Sequence, residues 1–292
     1  MSDVNLWTAL ITPMNPDGSV HYEDLKKLLK RQEDAGNGIL ILGSTGEGIA
    51  FSEAEKREII KFAADQKLKT PVMAGVGGIR LEAQLDWIDY CNKLDIDSFL
   101  LVAPLYSKPG RYGQAEWFTA LLNRSSKRCM IYNIPSRTGV KIPPEVLQDI
   151  ESHPNCWAVK EASGSVDDFN RFRKSVPNIP LYSGDDALLP DFAGLGCAGL
   201  VSVAANVWPS ETKLYVEKCL SGDTESLTSV WDKAIKALFS APNPIPSKVL
   251  LHTKNEISNI TLRPPLSEKD LLDTSHLLDA DRRIEEWFKT NK

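Results

Sequence analysis

Apolar positions along this chain fall into two alternating patterns. Short, nearly unbroken hydrophobic runs recur at intervals of roughly 20–30 residues. They are LWTALIT (Leu6–Thr12), GILILG (Gly38–Gly43), PVMAGV (Pro71–Val76), SFLLVA (Ser98–Ala103), CMIYN (Cys129–Asn133), CWAVK (Cys156–Lys160), PLYSG (Pro180–Gly184) and GLVSV (Gly199–Val203). Runs this short and this continuous predict parallel strands buried on both faces. Between them the apolar positions take a helical period. HYEDLKKLLKRQEDAG places Leu25, Leu28 and Leu29 on one face and closes on Gly36, a C-cap residue. SEAEKREIIKFAADQK opens on Ser52 followed by Glu55, the spacing of a capping box. Helical stretches also follow the later runs, and one of them, ALLPDFAGLG, carries Pro190 inside it, which blurs its boundaries.

Eight strand–helix units predict an α/β fold, a (β/α)8 TIM barrel with additional C-terminal helices. The competing architecture is a doubly wound open sheet, which would bring GxGxxG after the first strand; here that turn reads TPMNPDGS. From Leu227 the pattern is helical with proline-rich loops (APNPIP, LRPPLS). The expected division is therefore a catalytic barrel over 1–226 and a helical extension over 227–292.

Composition removes several function classes. The 292 residues are 42% hydrophobic and 25% charged with a net charge of −5, and no basic cluster stands out, so nucleic acid is not an expected partner. No apolar run approaches the ~18 residues of a membrane span, and MSDVNLW lacks the features of a signal peptide, so a cytoplasmic location is expected. Cys91, Cys129, Cys156, Cys197 and Cys219 are scattered without CxxC pairs or histidines at ligand spacing. Reduced structural cysteines, no metal and no cofactor are the expectation.

In such a barrel the active site lies where the strands end, and the chemistry-bearing residues collect there. Lys160 closes the sixth run. A lysine there either reaches solvent and pairs with a carboxylate such as Glu161 or Asp185, or sits desolvated as a nucleophile toward ketones. Tyr132 ends the fifth run, within range of Lys160 as a proton shuttle or as a cap sealing the barrel. Arg137, just beyond it, suits a substrate carboxylate or a loop ion pair. GSTGEG (Gly43–Gly48) after the second run offers converging backbone N–H groups with the Ser44 and Thr45 hydroxyls, either an anion cradle or a plain turn. It lacks the GK[ST] ending of a nucleotide-binding P-loop. Tyr106, Gly184 and Asn206 fall on the same rim.

Taken together, GSTGE, APLY, YNIPSRTG, VKEASG, SGDD, SVAANV and PNPIPSK, in this order over nearly the whole chain, resemble the dihydrodipicolinate synthase and N-acetylneuraminate lyase superfamily of pyruvate-dependent, aldolase-like enzymes. The resemblance implies that Lys160 forms an imine with the ketone of pyruvate, and that Thr45, with the backbone around Ser44, holds its carboxylate. It implies Tyr132 as general acid/base, relayed through Ser44 to Tyr106 of a neighbouring subunit. The carbonyls of Gly184 and Val201 lie in the same pocket in family members, and the assembly implied is a homotetramer built as a dimer of dimers. The arginine of SRTG marks the synthase branch, where it binds the carboxylate of L-aspartate 4-semialdehyde on the way to diaminopimelate and lysine; the lyase branch lacks it. The alternative is cleavage or formation of a sugar-derived 2-keto acid, as in N-acetylneuraminate lyase or a 2-keto-3-deoxygluconate aldolase. Two departures stand out. Ser44 replaces the threonine of most synthases. Leu105, Ala83 and Ile79 replace the tyrosine, glutamate and asparagine of lysine-inhibited members, which implies weak or absent lysine feedback.

Overall fold

The computed structural model describes residues 4–225 and 227–292. Its strands are β1 (Leu6–Ala9), β2 (Gly38–Ile41), β3 (Val72–Val76), β4 (Ser98–Val102), β5 (Arg128–Asn133), β6 (Cys156–Glu161), β7 (Leu181–Ser183) and β8 (Gly199–Ser202). Each pairs in parallel with the next and β8 returns to β1, so the sheet closes as a barrel. All eight apolar runs form strands, and the open sheet is excluded.

Both faces of each strand are buried, which conceals the two-residue alternation in the sequence. The structure reveals it. Trp7, Leu40, Met73, Leu100, Met130, Ala158 and Val201 fill the barrel interior. Ile39, Ile41, Phe99, Leu101, Ile131, Val159 and Leu200 face the surrounding helices. One end of the interior is packed by aromatic rings, with Trp157 lying 6.1 Å from Trp7 and 5.8 Å from Tyr182. The Arg128 guanidinium covers Trp157 at 3.8 Å. These residues plug the end where the strands begin and leave the other end open.

The local signals hold. Leu25, Leu28 and Leu29 are buried along helix Tyr22–Ala35, and Gly36 ends it at φ +69°. Ser52 and Glu55 form the capping box of helix Glu53–Asp65. Pro190 falls in the first turn of a short helix, Leu189–Ala193, where a missing N–H is harmless. After β8 come helix Pro209–Ser221 and the tail helices Thr228–Leu238, Ile245–Thr253 and Ser275–Asn291. The expected boundary at residue 226 lies outside the described residues. The tail packs closely on the barrel's helical layer: the Trp231 ring stacks on Tyr215 at 4.3 Å and meets Trp287 edge-on at 5.3 Å. All five cysteines are free thiols. Among the described residues, no helix is long and apolar enough to cross a membrane.

Candidate active site

The strand ends open into a cavity of about 1000 Å³. Its wall takes Ser44 from the loop after β2, Tyr106 from that after β4, Tyr132 and Arg137 from β5 and its following turn, and Asn243 from the tail. Lys160 lies behind this wall. Its Nζ sits 4.1 Å from the centre of the Tyr132 ring, because Tyr132 and Lys160 are register partners on adjacent strands and both point inward.

Strand alternation decides which carboxylate Lys160 meets. Glu161, the next residue, faces outward, is buried, and accepts hydrogen bonds from Asn133 Nδ2 (2.6 Å) and Ser163 N (2.7 Å). Asp185 accepts from Ala187 N at 2.9 Å. Neither pairs with Lys160, which makes no ion pair among the described residues. Burial therefore dominates and lowers the amine pKa from 10.5 to about 7; the Arg137 charge pushes the same way and Asp186 opposes it. About half of the amine is neutral at pH 7, against roughly one in three thousand for an exposed lysine. Such a lysine is a nucleophile. Burial acts oppositely on Tyr132, raising its phenol to about 12 despite Arg137 and a hydrogen bond with Ser44, so it is protonated at neutral pH.

The loop after β2 has the elements of a carboxylate site. Among the described residues the Ser44 and Thr45 N–H groups have no protein acceptor. Thr45 is buried, and its Oγ1 accepts a hydrogen bond from Asn243 Nδ2 at 2.9 Å. Opposite, Arg137 sits on the short helix Pro135–Thr138, which Gly139 ends at φ +74°, a conformation glycine adopts without strain. Asn133 Oδ1 accepts from Ile142 N at 3.0 Å and so ties down the far side of that turn. Gly184 backs Lys160, and a Cβ there would lie 2.7 Å from Lys160 Cε. Val201 is buried in the barrel interior, in register with Trp7, and does not reach the cavity wall. Tyr106 is on the wall but 89% exposed, with φ +68°, and makes no hydrogen bond to Ser44 among the described residues. Lys160, Tyr132, Ser44, Thr45, Arg137 and Gly184 thus converge, while Tyr106 stands apart.

Four participants are absent from the sequence reading. Asp186 is fully buried and accepts from Ser202 Oγ and from the Val203 and Ala204 N–H groups. Its signal was the doubled acid of SGDD, from which burial of the second is not legible. Asn243 reaches Thr45 from about 200 residues away. Glu47 and Lys248, both with buried side chains, form an ion pair at 2.6 Å, which accounts for GSTGE and PNPIPSK occurring together. Among the described residues no cluster of three or more His, Cys, Asp or Glu stands close enough to hold a metal ion.

The model of the dihydrodipicolinate synthetase family matches residues 3–280. The chain belongs to this family. Over 289 residues it is 46% identical to the 4-hydroxy-tetrahydrodipicolinate synthase of Francisella tularensis subsp. novicida, covering 98% of both chains. It superposes on the 4-hydroxy-tetrahydrodipicolinate synthase of Methylacidiphilum fumariolicum SolV with a TM-score of 0.91 at 29% identity, over 99% of this chain and 98% of that one. The chloride-inhibited dihydrodipicolinate synthase of Acinetobacter baumannii, solved with pyruvate, matches with a TM-score of 0.88 at 26% identity, over 97% and 98% of the two chains. As a member of the dihydrodipicolinate synthetase family, the chain is an enzyme.

Proposed function

We propose that this chain condenses pyruvate with L-aspartate 4-semialdehyde, the reaction of a 4-hydroxy-tetrahydrodipicolinate synthase. The observation that carries the reading is Lys160: a desolvated amine with a pKa of about 7, held against a protonated tyrosine just behind the cavity wall. The pyruvate carboxylate binds the Ser44 and Thr45 N–H groups and the Thr45 hydroxyl. The neutral amine adds to the ketone carbon, the ketone oxygen departs as water, and one proton is taken up to leave an iminium. Tyr132 supplies and recovers protons through Ser44. Loss of a methyl proton gives an enamine whose carbon attacks the aldehyde, while Arg137 holds that substrate's carboxylate as a charge-assisted pair.

Borohydride reduction with pyruvate, followed by mass spectrometry, tests the imine: the adduct is expected on Lys160. Offering aspartate semialdehyde, N-acetylneuraminate and 2-keto-3-deoxygluconate in parallel tests the substrate. Turnover of either sugar acid in place of the semialdehyde, or an Arg137→Ala variant with unchanged KM for the semialdehyde, would overturn the assignment. The catalytic unit proposed is a homotetramer of two dimers, with Tyr106 crossing between subunits.

A further inference from the structure

A threonine hydroxyl has one proton to donate and can also accept, so its neighbours decide which it offers a ligand. Asn243 Nδ2 lies 2.9 Å from Thr45 Oγ1 and donates to it. An amide NH2 group accepts nothing in return, so the Thr45 proton points elsewhere. Thr45 is 3% exposed, and no protein acceptor takes that proton among the described residues. Asn243 lines the cavity, and its own Oδ1 is buried without a partner.

The two residues are also held in step. Glu47 lies two positions after Thr45, Lys248 five after Asn243, and the enclosed Glu47–Lys248 pair joins the segments at 2.6 Å. Lys248 donates further to Thr261 O at 2.8 Å, and Arg263 N donates to Glu47 Oε2 at 3.0 Å. The tail segment thus presents Asn243 to Thr45 at a fixed height.

We propose that Asn243 is a positioning residue for keto-acid binding: by occupying the acceptor side of Thr45 Oγ1, it leaves the Thr45 proton for the substrate carboxylate. The proposal rests on the reading of the site as a pyruvate site. Without Asn243 the hydroxyl is free to rotate, and a carboxylate meets a lone pair as readily as a proton.

The test is a double-mutant cycle read as pyruvate KM against kcat, with borohydride trapping alongside. Asn243→Ala is expected to raise pyruvate KM about tenfold while kcat falls less than about threefold. Asn243→Asp keeps the shape but accepts where Asn donates, so it takes the Thr45 proton and raises KM further. On a Thr45→Val background neither change raises KM again. A wild-type KM in Asn243→Asp, or undiminished effects in Thr45→Val, would overturn the proposal. Near-UV circular dichroism reports folding; one unfolded variant leaves the other to decide, and loss of fold in both would overturn it too, making the contact structural. Wild-type protein is trapped first. If it forms no pyruvate adduct, the function itself fails; an adduct with an additive cycle sinks only the role of Asn243.

Discussion

At Lys160 the barrel interior removes the amine from water and supplies no carboxylate at ion-pair distance, so the proton is held only to about pH 7. In the unfolded chain it is held to about 10.5. Between those values the unfolded state binds more protons, so this residue's contribution to stability rises with pH and is most unfavourable at pH 7 and below. Lys160→Met is expected to abolish pyruvate trapping and to stabilise the fold at pH 7 by about 2–4 kcal/mol. Urea unfolding of both proteins at pH 7 and pH 9.5 checks the sign: the gap must narrow as pH rises. Gly184 is constrained for a different reason. An added Cβ would sit 2.6 Å from Ala162 Cβ and 2.7 Å from Lys160 Cε. Gly184→Ala is expected to slow imine formation at least about tenfold by displacing the lysine, and to lower the melting temperature because the clash with Ala162 Cβ costs about 1–3 kcal/mol. Single-turnover trapping measures the first and calorimetry the second.

Among the elements, the loop after β2 and helix Ile245–Thr253 behave as one part. Glu47 takes φ +54°, unusual for a side chain with a Cβ, and its carboxylate is saturated by Lys248 and Arg263 N. Burial lowers the Lys248 pKa and Glu47 offsets that, so removal of either partner strands a charge in the interior. Glu47→Gln is expected to destabilise by about 3–5 kcal/mol, and the neutral pair Glu47→Gln with Lys248→Met to recover most of it. Chemical denaturation of the single and double variants decides; equal losses in both would show that the ion pair is not the reason. Motif order carries the same lesson. PNPIPSK is far from GSTGE in sequence, and its lysine and asparagine both contact that loop in space.

For the whole molecule, the incomplete feature is Tyr106. It is 89% exposed in an unusual backbone conformation, on a rim that also exposes Ile49 (74%) and Ile79 (55%). The proposed second copy would cover this rim and deliver the phenol. Mixing Lys160→Met chains with Tyr106→Phe chains after unfolding and refolding should then restore about a quarter of the sites, because each mixed dimer rebuilds one complete set. No recovery would place Tyr106 in its own subunit's site. The expected weakness of lysine feedback rests on the same outer region. Leu105 and Lys56 line the cavity there, and the Lys56 ammonium pairs with Glu53 and sits 5.5 Å from the Trp87 ring. An amino-acid cation arriving at that place meets a positive charge, with Ala83 offering no carboxylate. Free lysine is expected to leave the rate within about twofold at millimolar concentration. Complete inhibition below that would refute this. The 227–292 extension is proposed as part of the catalytic unit, since Asn243 and Lys248 both lie in it.

Sequence alone determined the class of fold, the strand order and the rim on which chemistry collects, because parallel strands buried on both faces must be written as apolar runs and a barrel's site must lie where they end. It also supplied Lys160, Tyr132, Ser44, Thr45 and Arg137 as candidates, carried by local motifs. Direction was not legible: with both faces apolar, nothing in CWAVKE says whether Lys160 or Glu161 points inward until barrel closure sets the alternation. Burial was not legible either, which is why Asp186 was passed over for Asp185. Nor were contacts across about 200 residues, such as Asn243 to Thr45. Those depend on how helices pack against a closed sheet, and only the tertiary structure decided them.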